Sequence, residues 1–142
     1  ALSIYCAYTE YTVEVRNHMN IIVSNSLDVP LYIQIKEQIK EAILKGELED
    51  GELLPSIRNF ANDVHVSVLT IRRVYEELEK EGFAFSQAGR GTFVSRGNPE
   101  LLRDFKRRII EQDLQKAVHN AKLFDIEKDE LYAMVDIMYE ED

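Results

Sequence analysis

The chain has a single cysteine, Cys6, so no intramolecular disulfide can form. That agrees with a reducing, cytoplasmic setting. No apolar run approaches the roughly 18 residues that a membrane-spanning helix needs, so no membrane partner is expected. Residues 1–8 lack a basic leader before a long apolar stretch, which argues against a secretory signal. Histidine is sparse: His18, His65 and His119 are scattered, and no pair has metal-site spacing. No cofactor and no metal are therefore expected. There is no G-x-S-x-G, no phosphate-binding glycine loop and no His–acid–nucleophile set, so no catalytic residue can be named and an enzyme is not expected. Positive charge is also short, with 17 Lys/Arg against 26 Asp/Glu and a net charge of −9. Taken alone, that balance disfavours a polyanionic partner.

The distribution matters more than the sum. Residues 97–142 hold seven Lys/Arg and twelve Asp/Glu, so the tail alone supplies −5 and the middle of the chain is more balanced. A DNA-facing surface needs only a local cluster of cations. A length of 142 residues, 45% of them hydrophobic, suits one folded domain with a small appendage.

Met19 looks like a natural start. Residues 1–18 alternate weakly, with Tyr11, Val13 and Val15 against Thr12, Glu14 and Arg16. That pattern fits a strand, but a vector-derived or disordered leader is the expected reading. From Pro30 to Lys45, Leu31, Ile35, Ile39, Ala42 and Ile43 recur at helical spacing, and Gly46 fits a C-terminal cap. A connector with a turn at Asp50-Gly51 follows. Ser56 is placed to cap a second helix with Ile57, Phe60, Ala61 and Val64 inward. His65-Val66 is a tight break, and Ser67 caps a third helix from about Val68 to Glu81 that turns Ile71, Val74, Tyr75 and Leu78 inward. Gly82 stops it. Phe83–Ser86 and Thr92–Val94 then read as strands around an Ala88–Gly91 turn. After Pro99, Leu101, Leu102, Phe105, Ile109, Leu114, Ala117, Val118 and Ala121 form one long apolar stripe. A break at 122–126 precedes a last helix with Leu131, Met134, Val135 and Met138.

The expected fold is mainly α with a small β-hairpin: a winged helix-turn-helix over 19–96, then a two-helix dimerisation segment over 97–142. The second helix of such a pair enters the major groove with its N-terminal residues toward base edges. Val68 and Leu69 are apolar at an exposed helix start and suit thymine methyl groups. Arg72 can reach a guanine edge or a phosphate, Arg73 extends the same surface, and the Ser67 and Thr70 hydroxyls suit phosphates. Arg58, in the first turn of the second helix, opposes the helix dipole, a conflict that a nearby phosphate relieves. Arg90, between Gly89 and Gly91 at the wing tip, is placed to meet a groove or a phosphate.

These residues resemble a known family. Leu31-Tyr32-x-Gln34-Ile35, Gly46-x-Leu48-x-x-Gly51-x-x-Leu54-Pro55-Ser56-x-Arg58, Val66-Ser67-x-x-Thr70, Tyr75-x-x-Leu78-x-x-x-Gly82 and Gly89-x-Gly91-Thr92-Phe93-Val94 are similar, in this order, to the GntR family of bacterial regulators. The resemblance implies a winged helix that binds a palindromic double-stranded DNA operator as a homodimer, usually as a repressor. It implies that Arg58 contacts phosphate or base, that Ser67, Thr70 and Arg72 lie on the recognition helix, and that Gly89 lies at the wing tip. Val68 stands where the family commonly has Arg, and Ala88 where some members carry a polar reader; both bear on the operator sequence. The roughly 45 residues after the wing are too few for a larger effector domain and resemble the short YtrA-like branch, whose tail mainly dimerises and whose members often control transporter operons. Such a tail leaves little room for a small-molecule effector pocket, so any effector is unknown.

Leu102, Phe105, Ile109, Leu131, Val135 and Met138 are the residues expected at the dimer contact. Tyr75, Phe83, Phe85 and Phe93 are expected in the core, and Lys36 and Lys40 on a solvated face of the first helix. The rival to DNA binding is a winged helix used as a protein–protein interaction module; Arg72 and Arg90 speak against it.

Overall fold

A computed structural model of the chain describes residues 11–15, 19–25, 28–97 and 99–141. Its elements run β1 (Tyr11–Val15), β2 (Met19–Val23), α1 (Leu31–Lys45), α2 (Ile57–Val64), α3 (Val68–Lys80), β3 (Ala84–Gln87), β4 (Gly91–Val94), α4 (Pro99–Leu123) and α5 (Lys128–Glu140). The chain divides into two units, one ending at Leu102 and one beginning at Arg103.

In the first unit, three helices surround one core and each is ended by local chemistry. The α1 helix stops at Gly46, which takes a left-handed φ of 77° while Glu47 N–H returns to Ala42 O at 2.9 Å. Ser56 and Ser67 cap α2 and α3, their hydroxyls accepting from Asn59 N–H at 3.2 Å and Thr70 N–H at 3.1 Å. His65 makes the tight break in left-handed backbone, φ 57°. Ile35, Ile39 and Ile43 of α1, Phe60 and Val64 of α2, and Ile71, Val74 and Leu78 of α3 meet in the core. Each such side chain contributes roughly 1.5–3 kcal/mol by leaving water.

Strands β3 and β4 pair antiparallel, with Phe85 opposite Phe93 and Ser86 opposite Thr92. A third length of chain joins them. Leu54 N–H donates to Thr92 O at 2.8 Å, Val94 N–H to Glu52 O at 2.8 Å, and Leu53 bridges to Phe93. The wing is therefore held to the segment that leads into α2. Gly91 permits this closeness: a Cβ there would lie 2.9 Å from Leu53 Cδ1, at a φ of 117°.

Part of the leader is ordered, as the alternation of Tyr11, Val13 and Val15 allowed, which leaves its origin untouched. Tyr11–Val15 is a strand, antiparallel to β2 with Tyr11 opposite Val23 and Val15 opposite Met19. Residues 1–10 and 16–18 lie outside the described residues. In β2, Met19, Ile21 and Val23 enter the core while Asn20 and Ile22 stay out. Two glutamines one turn apart on α1 pair with the β2 backbone. Gln38 accepts from Ile22 N–H at 2.8 Å and donates to Ile22 O at 2.6 Å. Gln34 accepts from Ser24 N–H at 3.0 Å and donates to Ser24 O at 2.9 Å. These amides take the place of a neighbouring strand.

Lys36 and Lys40, expected in solvent, instead bind Glu81 at the end of α3. Lys36 Nζ stands 2.7 Å from Glu81 Oε1, and Lys40, a buried residue, pairs with Glu81 Oε2 and with Glu37 at 3.4 Å. Burial works to raise the Glu81 pKa, but hydrogen bonds and charge from Lys36 and Lys40 outweigh it and hold the carboxyl below its usual range. Burial works to lower the Lys36 pKa, and Glu81 outweighs it in turn, holding the ammonium above its usual value. Glu81→Ala is expected to lower unfolding stability by about 2–4 kcal/mol, read as a shift in urea midpoint, because it strips a buried lysine of a carboxylate. The depressed Glu81 contributes stability above its unfolded pKa of about 4.3, lost as pH falls through its lower folded value. The raised Lys36 contributes below about 10.4, lost as pH rises through its higher folded value. The gap between the two proteins should thus be full near neutrality and shrink towards both extremes.

The second unit is helical and thinly packed. Ile109, Leu131, Met134 and Val135 are half-buried, and no residue of α5 is buried. Phe124, Ile137, Met138 and Tyr139 stand exposed.

Candidate nucleic-acid interface

Arg58, Val68, Arg72 and Arg90 converge on one cleft. It lies between the start of α2, the start of α3 and the wing, with a volume of about 490 Å³, floored by Leu54, Pro55 and Tyr75. The residues that hold this geometry are buried. The Tyr75 hydroxyl donates to Pro55 O at 2.6 Å, tying α3 to the turn before Arg58, and its ring tilts against Phe60 with centroids 6.0 Å apart. Burial pushes the Tyr75 pKa well above its ordinary value, so the hydroxyl keeps its proton and remains a donor.

The charge of this face is opposite to that of the whole chain. The twelve residues that line it include three arginines and no carboxylate, within a chain of net charge −9. Arg58, Arg72 and Arg90 are exposed, and among the described residues none forms an ion pair. Helices α1, α2 and α3 carry no acidic residue in their first turns, whereas α4 and α5 do. No acidic side chain in the first turn therefore balances the positive ends of these three helix dipoles.

Of the other expected residues, Ser67, Leu69, Thr70, Arg73 and Gly89 do not line the cleft, whereas Val68 does. Leu69 is 71% exposed and Val68 39% exposed, which leaves two aliphatic side chains in water at the start of α3. Ser67 Oγ and Thr70 Oγ1 are 2.8 Å apart. Two hydroxyls hold two protons, and this bond uses one, so one O–H remains free to donate outward. Gly89 sits at the wing tip with φ 75°. Arg73 does not line the cleft; its guanidinium lies over the ring of Tyr32 on α1, 3.8 Å from the centroid. Nothing local in the sequence links Tyr32 to a residue 41 positions away. Phe85 is a further correction: it is 41% exposed, stacked on Phe93 at 5.5 Å on the surface of the wing, while Tyr75 and Phe83 are buried as expected.

Of the residues expected at a dimer contact, Leu102 packs against the core of the first unit and Phe105 is already buried within the chain. Ile109, Leu131 and Val135 are half-buried, and Met138 is 68% exposed. Among the described residues no group of three or more His, Cys, Asp or Glu could hold a metal ion, and no helix is long and apolar enough to cross a membrane.

Comparison with known proteins agrees with this geometry. The profile "Bacterial regulatory proteins, gntR family" matches residues 31–94. The HTH-type transcriptional repressor YtrA of Bacillus subtilis is 33% identical over 106 residues, covering 75% of this chain and 82% of YtrA. A GntR family transcriptional regulator from Listeria monocytogenes superimposes with a TM-score of 0.60 at 27% identity, over 77% of this chain and 95% of that one. A transcriptional regulator from Oenococcus oeni, 20% identical, shares the fold with a TM-score of 0.62 over 82% of this chain and 97% of its own. The chain belongs to the gntR family of bacterial regulatory proteins, in its YtrA-like branch, and is a DNA-binding winged-helix transcription regulator.

Proposed function

We propose that the protein is a dimeric, non-catalytic repressor that binds a palindromic operator in the bacterial cytoplasm. The observation that carries this reading is the arginine trio around the cleft between α2, α3 and the wing, none of it in an ion pair among the described residues. The N-terminal part of α3 enters the major groove. Val68 and Leu69 meet thymine methyl groups, Arg72 reads a base edge, and Arg58, Arg90 and the Ser67–Thr70 hydroxyl pair take phosphates. A dimer sets two such helices roughly 34 Å apart on one face of the duplex and excludes other proteins from the promoter.

The second unit supports pairing. Helix α5 is 13 residues long and has no buried side chain. A helix of that length is marginal in water by propensity alone, so its apolar residues call for a partner surface. A second copy supplies one: Ile109, Leu131, Val135 and Met138 meet their equivalents, while Leu102 and Phe105 act within the subunit.

Fluorescence anisotropy on the promoter duplex of the chain's own gene, titrated with salt, tests the reading. With six or more phosphate contacts per dimer, affinity is expected to fall about a thousandfold between about 50 and 200 mM salt. Binding that ignores salt, or a preference for a protein partner with no DNA binding, contradicts it.

A further inference from the structure

Arg73 has no carboxylate partner among the described residues, yet it is held. Its guanidinium stacks on the Tyr32 ring at 3.8 Å, and Nη2 donates to the Tyr32 hydroxyl at 3.1 Å. This arrangement uses one face of the guanidinium and one of its five N–H groups, leaving the charge and the other donors available. An arginine on an exposed helix surface otherwise samples many rotamers, and one fixed in advance loses less freedom on binding.

The position of the pair on α3 gives it a purpose. Residues 68 and 72 are four apart and line the cleft beside the wing; residues 69 and 73 are four apart and form the neighbouring ridge, on the side of α1. A helix lying in a major groove has a phosphate strand along each flank. Arg58 and Arg90 serve the flank beside the wing, and the other flank lies beside the Arg73 ridge. The α1 helix opens there without a side-chain cap, and its first turn holds no acidic residue.

We infer that Tyr32 is a positioning residue that holds Arg73 as a clamp on the DNA backbone flanking α3 on the side away from the wing. The clamp grips phosphate and reads no base. It rests on the DNA-binding reading above and extends it.

Four variants test it: Arg73→Ala, Tyr32→Leu, Tyr32→Phe and the double variant Tyr32→Leu/Arg73→Ala. Leucine preserves the apolar packing of a residue that lies against the core. Binding is measured on the promoter duplex and on a random duplex of about 30 base pairs, long enough for two half-sites a turn apart. Arg73→Ala should lose roughly tenfold in affinity on both duplexes. Its salt slope should fall by about 1.8, one phosphate per subunit. Tyr32→Leu should lose about three- to fivefold when Arg73 is present and nothing further when Arg73 is already alanine, a coupling that simple destabilisation does not produce. Tyr32→Phe, which keeps the stacking ring, should retain most of the affinity. Equal losses from Tyr32→Leu in both backgrounds, or an unchanged slope in Arg73→Ala, would overturn the clamp. A loss confined to the promoter duplex would overturn it too, by making Arg73 a base reader. If the unaltered protein binds neither duplex, it is the DNA-binding reading that falls.

Discussion

Arg72→Ala is expected to weaken operator binding by about 2–6 kcal/mol, because a good base contact is worth about 1–3 kcal/mol and a dimer makes it twice. That is a loss of roughly 30-fold to twenty-thousandfold. Adding Arg58→Ala should bring the protein down to the affinity of random DNA at moderate salt. The sign of the accompanying stability change separates this from damage to the fold. Arg58 sits at the positive end of α2, in a first turn with no acid to balance it. Its removal should leave stability unchanged or raise it by a few tenths of a kcal/mol. A variant that binds poorly while unfolding at the same or a higher temperature has lost recognition alone. If both variants bind the operator as the parent does, the cleft is not the reading surface.

The second large effect is expected from the tail. Val135→Glu with Met138→Glu places two carboxylates three residues apart on α5, where the parent has a half-buried and an exposed apolar group. Sedimentation should show the dimer giving way to monomer. The first unit should stay folded, since its core draws nothing from α5. Operator affinity should fall about a hundred- to ten-thousandfold, since two half-sites held by one particle gain the effective concentration of a tether and two monomers do not. A dimer that survives both substitutions would assign the contact to another surface.

Which parts of this molecule are legible in its sequence follows from how local their causes are. Ser56, Ser67, Gly46 and Gly82 mark helix ends because capping is decided within four residues, and the wing follows from glycines that permit its turn. Arg58, Arg72 and Arg90 were legible by position within that pattern, but their convergence on one cleft depends on Tyr75 and Pro55, 20 residues apart. What the sequence concealed was non-local. Glu81 draws Lys36 and Lys40 out of solvent across more than 40 positions. Phe85 carries a core residue's chemistry but stands on the outer face of a two-residue stack. The Met19, Ile21, Val23 alternation was present and spans only five residues, too short to distinguish from chance without α1 to cover it.

The pairing of Gln34 and Gln38 with β2 has a consequence for the ageing of the protein. A bare strand edge recruits other chains, and here two side-chain amides occupy it. Each amide both gives and receives a proton bond, something a carboxylate cannot do. Slow hydrolysis of either amide would leave a backbone carbonyl unanswered beside a new negative charge and open a seam for intermolecular sheet growth. The long-term solubility of this regulator therefore depends on two side-chain nitrogen atoms that do not line its cleft.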